Sequence, residues 1–275
     1  MSRYSDGAAD GFRRADLLAV SWRILAGLFL VYAIVTVIAY FYSRSVIFQP
    51  GYASRSAPEG VLRIPQPDGG TLAAIYLPNP AAKQTLWFFH GNAESLGDLE
   101  PFLQTVRQQG YAVFAFDYPG YGVSSGSPSE GSIDEATALA ARYLHATLGV
   151  PPGRVIVYGR SLGGGPAVEL ATREPVAGLV LQSAFTSVYR VMTQRRLLPF
   201  DFFENERKLP HVACPVLVMH GRLDGVVPFS HGPALLAAAP GRKSAFWVDD
   251  AGHNNFVPAA GPRFWAELKN FTDSL

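Results

Sequence analysis

From residue 61 onward, short apolar runs alternate with longer helix-like stretches, and this alternation restricts the chain to few folds. The runs are 85–89 (TLWFF), 112–116 (AVFAF), 154–158 (RVIVY), 178–181 (GLVL), 215–219 (PVLVM) and 244–248 (SAFWV). Several are apolar at every position, the pattern of a strand covered on both faces. Segments 132–148, 162–173, 230–239 and 258–271 read as helices. Strand–helix alternation of this kind predicts an α/β fold with a doubly wound, mostly parallel sheet and helices on both sides. Runs at 60–65 and 72–77, split by Asp68-Gly69-Gly70, predict a leading antiparallel hairpin. The stretch 185–211 interrupts the alternation and reads as a small helical cap. In such sheets ligands bind beyond the carboxyl ends of the strands, so chemistry is expected just after these runs.

Gly159-Arg160-Ser161-Leu162-Gly163 fits G-x-S-x-G, follows the run RVIVY directly and opens a helix. That context makes it a nucleophile elbow: small residues two positions either side allow a tight turn that presents the serine hydroxyl at a helix N-terminus. No Gly-Lys-Ser/Thr follows, so a phosphate-cradling loop is excluded. A serine hydroxyl needs a base to take its proton, and in this fold the chain order is serine, acid, histidine. His211, His220, His231 and His253 all follow Ser161. His253 lies on a loop directly after the last run, where a base belongs. His211 falls in the cap, His220 ends a strand, and His231 opens a helix and is expected to be exposed. The acid should follow the preceding strand, which selects Asp224 over Asp249 and Asp250. The oxyanion donors expected are the backbone N–H of Leu162 and that of Asn92, in the loop His90-Gly91-Asn92-Ala93, with Ala93 as the reserve. His90 is expected to brace that loop, Asp117 to order a glycine-rich loop, and Arg160 to pair locally, with Glu94, or to contact substrate.

Residues 24–42 (ILAGLFLVYAIVTVIAYFY) carry no charge and are close to the roughly 20 apolar residues that cross a bilayer. Trp22, Tyr40 and Tyr42 sit near the ends, as interfacial aromatics do. The run exceeds the core of a signal peptide, and no small-x-small cleavage site follows it. Arg3, Arg13, Arg14 and Arg23 precede it, against Arg44 and Arg55 after it, a bias towards an inside N-terminus and an extracytoplasmic catalytic domain. The expected organisation is a polar segment at 1–23, a transmembrane anchor at 24–42, a linker at 43–60 and a catalytic domain at 61–275. The formal net charge is +1, so no basic surplus points to nucleic acid. Cys214 is the single cysteine, which excludes an internal disulfide and a cysteine-based zinc site.

His90-Gly91-Asn92-Ala93, the run DYPGYGVSSGSPSE at 117–130, and Gly159-Arg160-Ser161-Leu162-Gly163-Gly164-Gly165-Pro166 occur in that order. Together they resemble the membrane-anchored branch of the α/β-hydrolase superfamily, which includes depalmitoylating thioesterases, and are similar to serine aminopeptidase-like hydrolases. The resemblance implies ester, thioester or amide cleavage with no metal and no organic cofactor, and Ser161, Asp224 and His253 as the triad by motif position. Anchored depalmitoylases of that branch often carry cysteine-rich N-termini; this chain has an apolar segment instead. The expected function is a serine hydrolase acting on an acyl ester or thioester, lipid-like substrates included, through an acyl-enzyme on Ser161. Two alternatives stay open. One is an aminopeptidase, for which Glu204 or Glu206 would hold the substrate amine. The other is an inactive anchored scaffold.

Overall fold

A computed structural model describes residues 6–275. Arg3 lies outside the described residues, as do the side chains of Arg13, Arg14 and Arg44. The chain divides into two units, one ending at Val46 and one running from Ile47 to Leu275.

The described residues of the first unit lie in one helix, α1, Asp6–Ile47, whose last residue belongs to the second unit. It contains a candidate membrane span, Leu17–Ser43, longer than the 24–42 expected from the uncharged run. The helix continues beyond that run because a backbone that satisfies its own hydrogen bonds has no reason to stop at a change of polarity. Its apolar side chains are exposed, Leu28 at 63% and Phe29 at 72%, unlike those of a soluble core helix.

The second unit is built on eight strands: β1 Leu62–Pro65, β2 Thr71–Leu77, β3 Thr85–Phe89, β4 Ala112–Phe116, β5 Val155–Arg160, β6 Gly178–Gln182, β7 Val216–Gly221 and β8 Lys243–Val248. Their order in the sheet is β1-β2-β4-β3-β5-β6-β7-β8. β1 and β2 form the expected antiparallel hairpin, β2 joins β4 antiparallel, and the remaining pairs are parallel. The chain starts the parallel part at β3, goes out to β4 and returns to β5 on the other side of β3. That reversal makes a topological switch point, where carboxyl-end loops diverge and leave a crevice.

Alternation along the strands sorts the core into two layers. Trp87 and Phe89 of β3 and Phe114 and Phe116 of β4 pack on one face. Leu86 and Phe88, with Val113 and Ala115, pack on the other. Both faces are covered, which is why these strands read as continuous apolar runs. On the first face lie α3, Glu130–Arg142, α4, Gly164–Arg173, and α7, His231–Ala238. On the second lie α2, Leu96–Gln108, α8, Phe256–Ala260, and α9, Pro262–Asp273.

Three sequence expectations need correction. The helices expected from the sequence do not include α2, which carries Pro101; Ser95 and Asp98 close a capping box at its start, and Leu96, Leu99, Leu103 and Val106 bury its inner face. The helix expected at 258–271 is two helices, since the chain turns at Gly261 (φ 56°) and Pro262 starts a new one. The expected linker at 43–60 is not free: α1 continues to Ile47, and Ile47, Phe48 and Ala53 are buried in the core. Gln49 and Ser54 donate backbone bonds to Asn92 and Asp98.

The interruption after β6 contains α5, Val188–Thr193, and α6, Asn205–Lys208. Of its apolar residues, Phe203 is fully buried and turns inward. A Cβ on Gly165 would lie 2.2 Å from the Phe203 ring, so the glycine run after Ser161 is also the seat of the cap.

Candidate active site

β5 runs on to Arg160, and Ser161 takes φ 52°, a left-handed conformation unusual for a residue with a Cβ. The turn closes against the neighbouring strand: a Cβ on Gly163 would lie 2.2 Å from the carbonyl oxygen of Phe89. Strain at a single serine above a glycine-lined turn lifts its hydroxyl clear of the sheet.

The loops after β5, β7 and β8 bring three residues together. His253 Nε2 lies 2.9 Å from Ser161 Oγ, and His253 Nδ1 lies 2.8 Å from Asp224 Oδ2. The other oxygen, Asp224 Oδ1, accepts the N–H groups of Val226 (2.9 Å) and Val227 (2.7 Å). Burial opposes the charge on Asp224. Hydrogen bonds from His220 and His253, the charge of His253 and the Val227 N–H outweigh it and hold the carboxyl well below the usual range. Asp249 and Asp250 are exposed, and Asp249 pairs with Arg222 at 2.7 Å.

Of the other histidines that follow Ser161, His220 braces the acid: it is fully buried, and its Nε2 donates to Val227 O at 2.9 Å and lies 3.4 Å from Asp224 Oδ2. His211 is exposed. His231 is buried, not exposed as its helix-opening position suggested; its Nδ1 accepts the N–H of Thr186 at 3.1 Å. A helix start on the covered face of a sheet is interior, and one-dimensional position cannot show that.

Ser161 opens onto a cavity of about 650 Å³. Gly91, Asn92, Ala93 and Glu94 line one wall; a Cβ on Gly91 would lie 3.7 Å from Ser161 Cβ. Leu162 follows Ser161 in the turn Ser161–Gly163 that leads into α4, and N–H groups in a first helical turn have no acceptor within the helix. Leu99, Phe102, Phe256, Val257, Pro258 and Val226 give the cavity its apolar walls.

The Asn92 loop is held by long-range contacts. Asn92 Oδ1 accepts from Gln49 N (3.0 Å) and Tyr121 Oη (2.6 Å), and its Nδ2 donates to Ile47 O (2.6 Å). His90 donates Nδ1–H to Gly91 O at 2.8 Å and stacks on Tyr118, whose hydroxyl donates to His90 O at 2.8 Å. Glu94 accepts the Gly91 N–H at 2.8 Å and pairs with Arg160, whose guanidinium lies 5.3 Å from the Phe88 ring centre. Asp117 is buried and accepts from Leu96 N at 2.7 Å, the ordering role expected of it; burial raises its carboxyl to about 6. Tyr118 and Tyr121 were not singled out in the sequence. Their signal was the DYPGYG run, and only the fold shows that it braces the loop beside the serine.

Burial lowers the His90 imidazole to about 4, against 6.5 in an unfolded chain. The folded protein therefore keeps it neutral while the unfolded chain takes up a proton below pH 6.5. Its contribution is complete above pH 6.5 and drains as pH falls towards 4, at roughly 1.4 kcal/mol per pH unit. His231, also lowered to about 4 chiefly by burial, acts with the same sign. Asp117, raised to about 6, acts with the opposite sign below that pH, so the test is a difference: in urea unfolding the stability advantage of the parent over His90→Asn should shrink from pH 7 to 5, and a constant difference would contradict the assignment.

A family model described as serine aminopeptidase, S33, matches residues 80–200. The chain is 39% identical over 199 residues to α/β-hydrolase domain-containing protein aho-3 of Caenorhabditis elegans, covering 71% of this chain and 59% of that protein. It is 38% identical over 191 residues to human α/β-hydrolase domain-containing protein 17B, covering 68% and 66%. The chain thus spans about three fifths to two thirds of the length of these curated relatives. Among solved structures, mouse α/β-hydrolase domain-containing protein 10 superposes with a TM-score of 0.62 at 19% identity, covering 78% of this chain and 99% of that one. An esterase from Pyrococcus furiosus, Pf2001, gives 0.65 at 16% identity, covering 78% and 91%. At these identities the structural likenesses speak for the fold.

Proposed function

The chain belongs to the α/β-hydrolase superfamily, and on that premise we propose that it is a membrane-anchored serine hydrolase that cleaves carboxylic esters or thioesters. The observation that carries this reading is the continuous hydrogen-bonded line Ser161–His253–Asp224, opening onto a cavity with apolar walls. In the proposed reaction His253 Nε2 takes the Ser161 proton as Oγ attacks the substrate carbonyl carbon. Asp224 fixes the proton on Nδ1 and stabilises the imidazolium. The negative oxygen of the tetrahedral intermediate is received by the N–H groups of Leu162 and Asn92. His253 then protonates the leaving alcohol or thiol as its bond to the carbonyl breaks. Water, deprotonated by the same nitrogen, attacks the acyl-enzyme, releases the acid and returns the proton to Ser161.

Esters are favoured over peptides with a free amine because the acidic groups that such peptides would need are already paired. Glu204 contacts Arg196 (3.2 Å) and Arg207 (2.9 Å), and Glu206 pairs with Arg190. The exposed apolar surface of α1 supports its reading as an anchor, and the arginine bias before it supports an extracytoplasmic catalytic unit.

Deleting residues 1–44 tests both halves. Ile47, Phe48 and every triad residue remain, so the shortened chain should be soluble. It should react with a fluorophosphonate probe and hydrolyse short water-soluble esters at near the full rate. Activity on long-chain esters held in vesicles should fall, because the local concentration at the membrane is lost. A full chain that the probe leaves unlabelled would remove the hydrolase reading; equal vesicle activity would remove the anchor's part in it.

A further inference from the structure

The globular unit begins at the same edge of the sheet that carries the site. Ile47 O and Gln49 N are both hydrogen-bonded by Asn92, on the loop leaving the carboxyl end of β3. The candidate span ends at Ser43, and the four residues from there to Ile47 reach at most about 14 Å. With the span in a bilayer, connectivity keeps Ile47, the point where the globular unit joins this edge, within roughly that distance of the apolar layer.

Exposed apolar side chains gather at this edge. Among the described residues of the globular unit, the large ones are Tyr52 (78%), Met192 (84%), Leu197 (59%), Leu223 (67%), Val226 (56%) and Leu275 (38%). Leu275 is the exception: it lies by Gly178 at the start of β6, the opposite edge. Met192 and Leu197 lie on the segment leaving β6, and Leu223 and Val226 on the loop leaving β7, its parallel neighbour. Tyr52 lies three residues beyond Gln49. Val226 also lines the cavity of Ser161. Single exposed apolar residues are ordinary, but a group on one functional edge marks a contact surface. Arg195 and Arg196 precede Leu197; Arg195 makes no ion pair among the described residues, and Arg196 reaches Glu204 at 3.2 Å. Arginines beside aliphatic side chains and a tyrosine match the chemistry of lipid headgroups above acyl chains.

We propose that this edge docks on a lipid bilayer. Met192, Leu197, Leu223 and Val226 enter the interfacial layer, and Arg195 meets lipid phosphates. The proposal rests on the reading of α1 as an anchor and adds an orientation to it. The mouth of the Ser161 cavity then opens towards the membrane, so an acyl group can pass from lipid to the site without crossing bulk water.

The test uses the full chain with Cys214→Ala, reconstituted in phosphatidylcholine vesicles containing a minority of phosphatidylglycerol. Single cysteines at Met192→Cys, Leu197→Cys and Leu223→Cys carry an environment-sensitive fluorophore. Lys83→Cys, exposed before β3 at the opposite edge, is the reference. Retained fluorophosphonate labelling first shows that each chain is folded. The expected result is blue-shifted emission, and quenching by nitroxide-bearing lipids several-fold stronger at the three edge positions than at the reference. Chains that float with the vesicles while all four probes stay in water would overturn the docking and leave the anchor standing. Chains that do not float with the vesicles would overturn both.

Discussion

Replacing Ser161 with alanine is expected to lower kcat for short p-nitrophenyl esters by about 10⁶ and to abolish fluorophosphonate labelling. The magnitude follows from the roles proposed around the serine. Ser161 Oγ, 2.9 Å from His253 Nε2, is the atom that would form the acyl-enzyme, and with it gone the histidine and the oxyanion donors have no covalent step to assist. The substitution keeps the Cβ, removes one partly exposed hydroxyl and leaves the turn Ser161–Gly163 its glycine contacts. Thermal unfolding should therefore move little. Ester turnover surviving in the purified variant, with its fold intact, would show that another residue is the nucleophile.

Asp224→Asn should cut kcat by roughly 10⁴ while the protein stays folded. Asparagine can keep its oxygen on the N–H groups of Val226 and Val227, the bonds Asp224 Oδ1 makes. Its amide nitrogen then faces His253 Nδ1, and two donors cannot share that contact. The ring is driven to the tautomer with its proton on Nε2, which points a donor at Ser161 and cannot take the serine proton. Asp250→Asn, in an exposed turn, should leave turnover nearly unchanged. Measuring kcat for both variants decides the point, since a larger loss at position 250 would place the acid on the wrong loop. The depressed carboxyl of Asp224 adds a second readout. Its contribution to stability is present above the ordinary carboxylate range and is lost as pH falls through and below it, so acid unfolding of Asp224→Asn should be shallower there.

What the sequence determined by itself is whatever local pattern encodes. Strands buried on both faces are apolar at every position, so the parallel core could be read from TLWFF or AVFAF without coordinates. An elbow needs glycines at fixed offsets from its serine. Parallel topology puts successive carboxyl-end loops on one edge, which is why chain order together with placement just after a strand run pointed to the histidine and acid that lie within 3 Å of their partners. The apolar run inside α1 was legible because hydropathy is additive along the chain, though the candidate span extends beyond it to Leu17–Ser43.

Tertiary structure decided what depends on residues distant in sequence. Asn92 is pinned by Ile47 and Gln49, more than forty positions earlier, and by Tyr121, 29 positions later. Arg160 meets Glu94 across 66 positions. His231 looked exposed at a helix start because periodicity reports one element at a time, whereas burial depends on what covers that element. α2 was not among the expected helices, and its face of four buried residues gains its free energy only against the sheet. Each of these is a partnership across the fold. The free energy of such contacts is set by packing and hydrogen bonding in three dimensions, which no window along the chain contains.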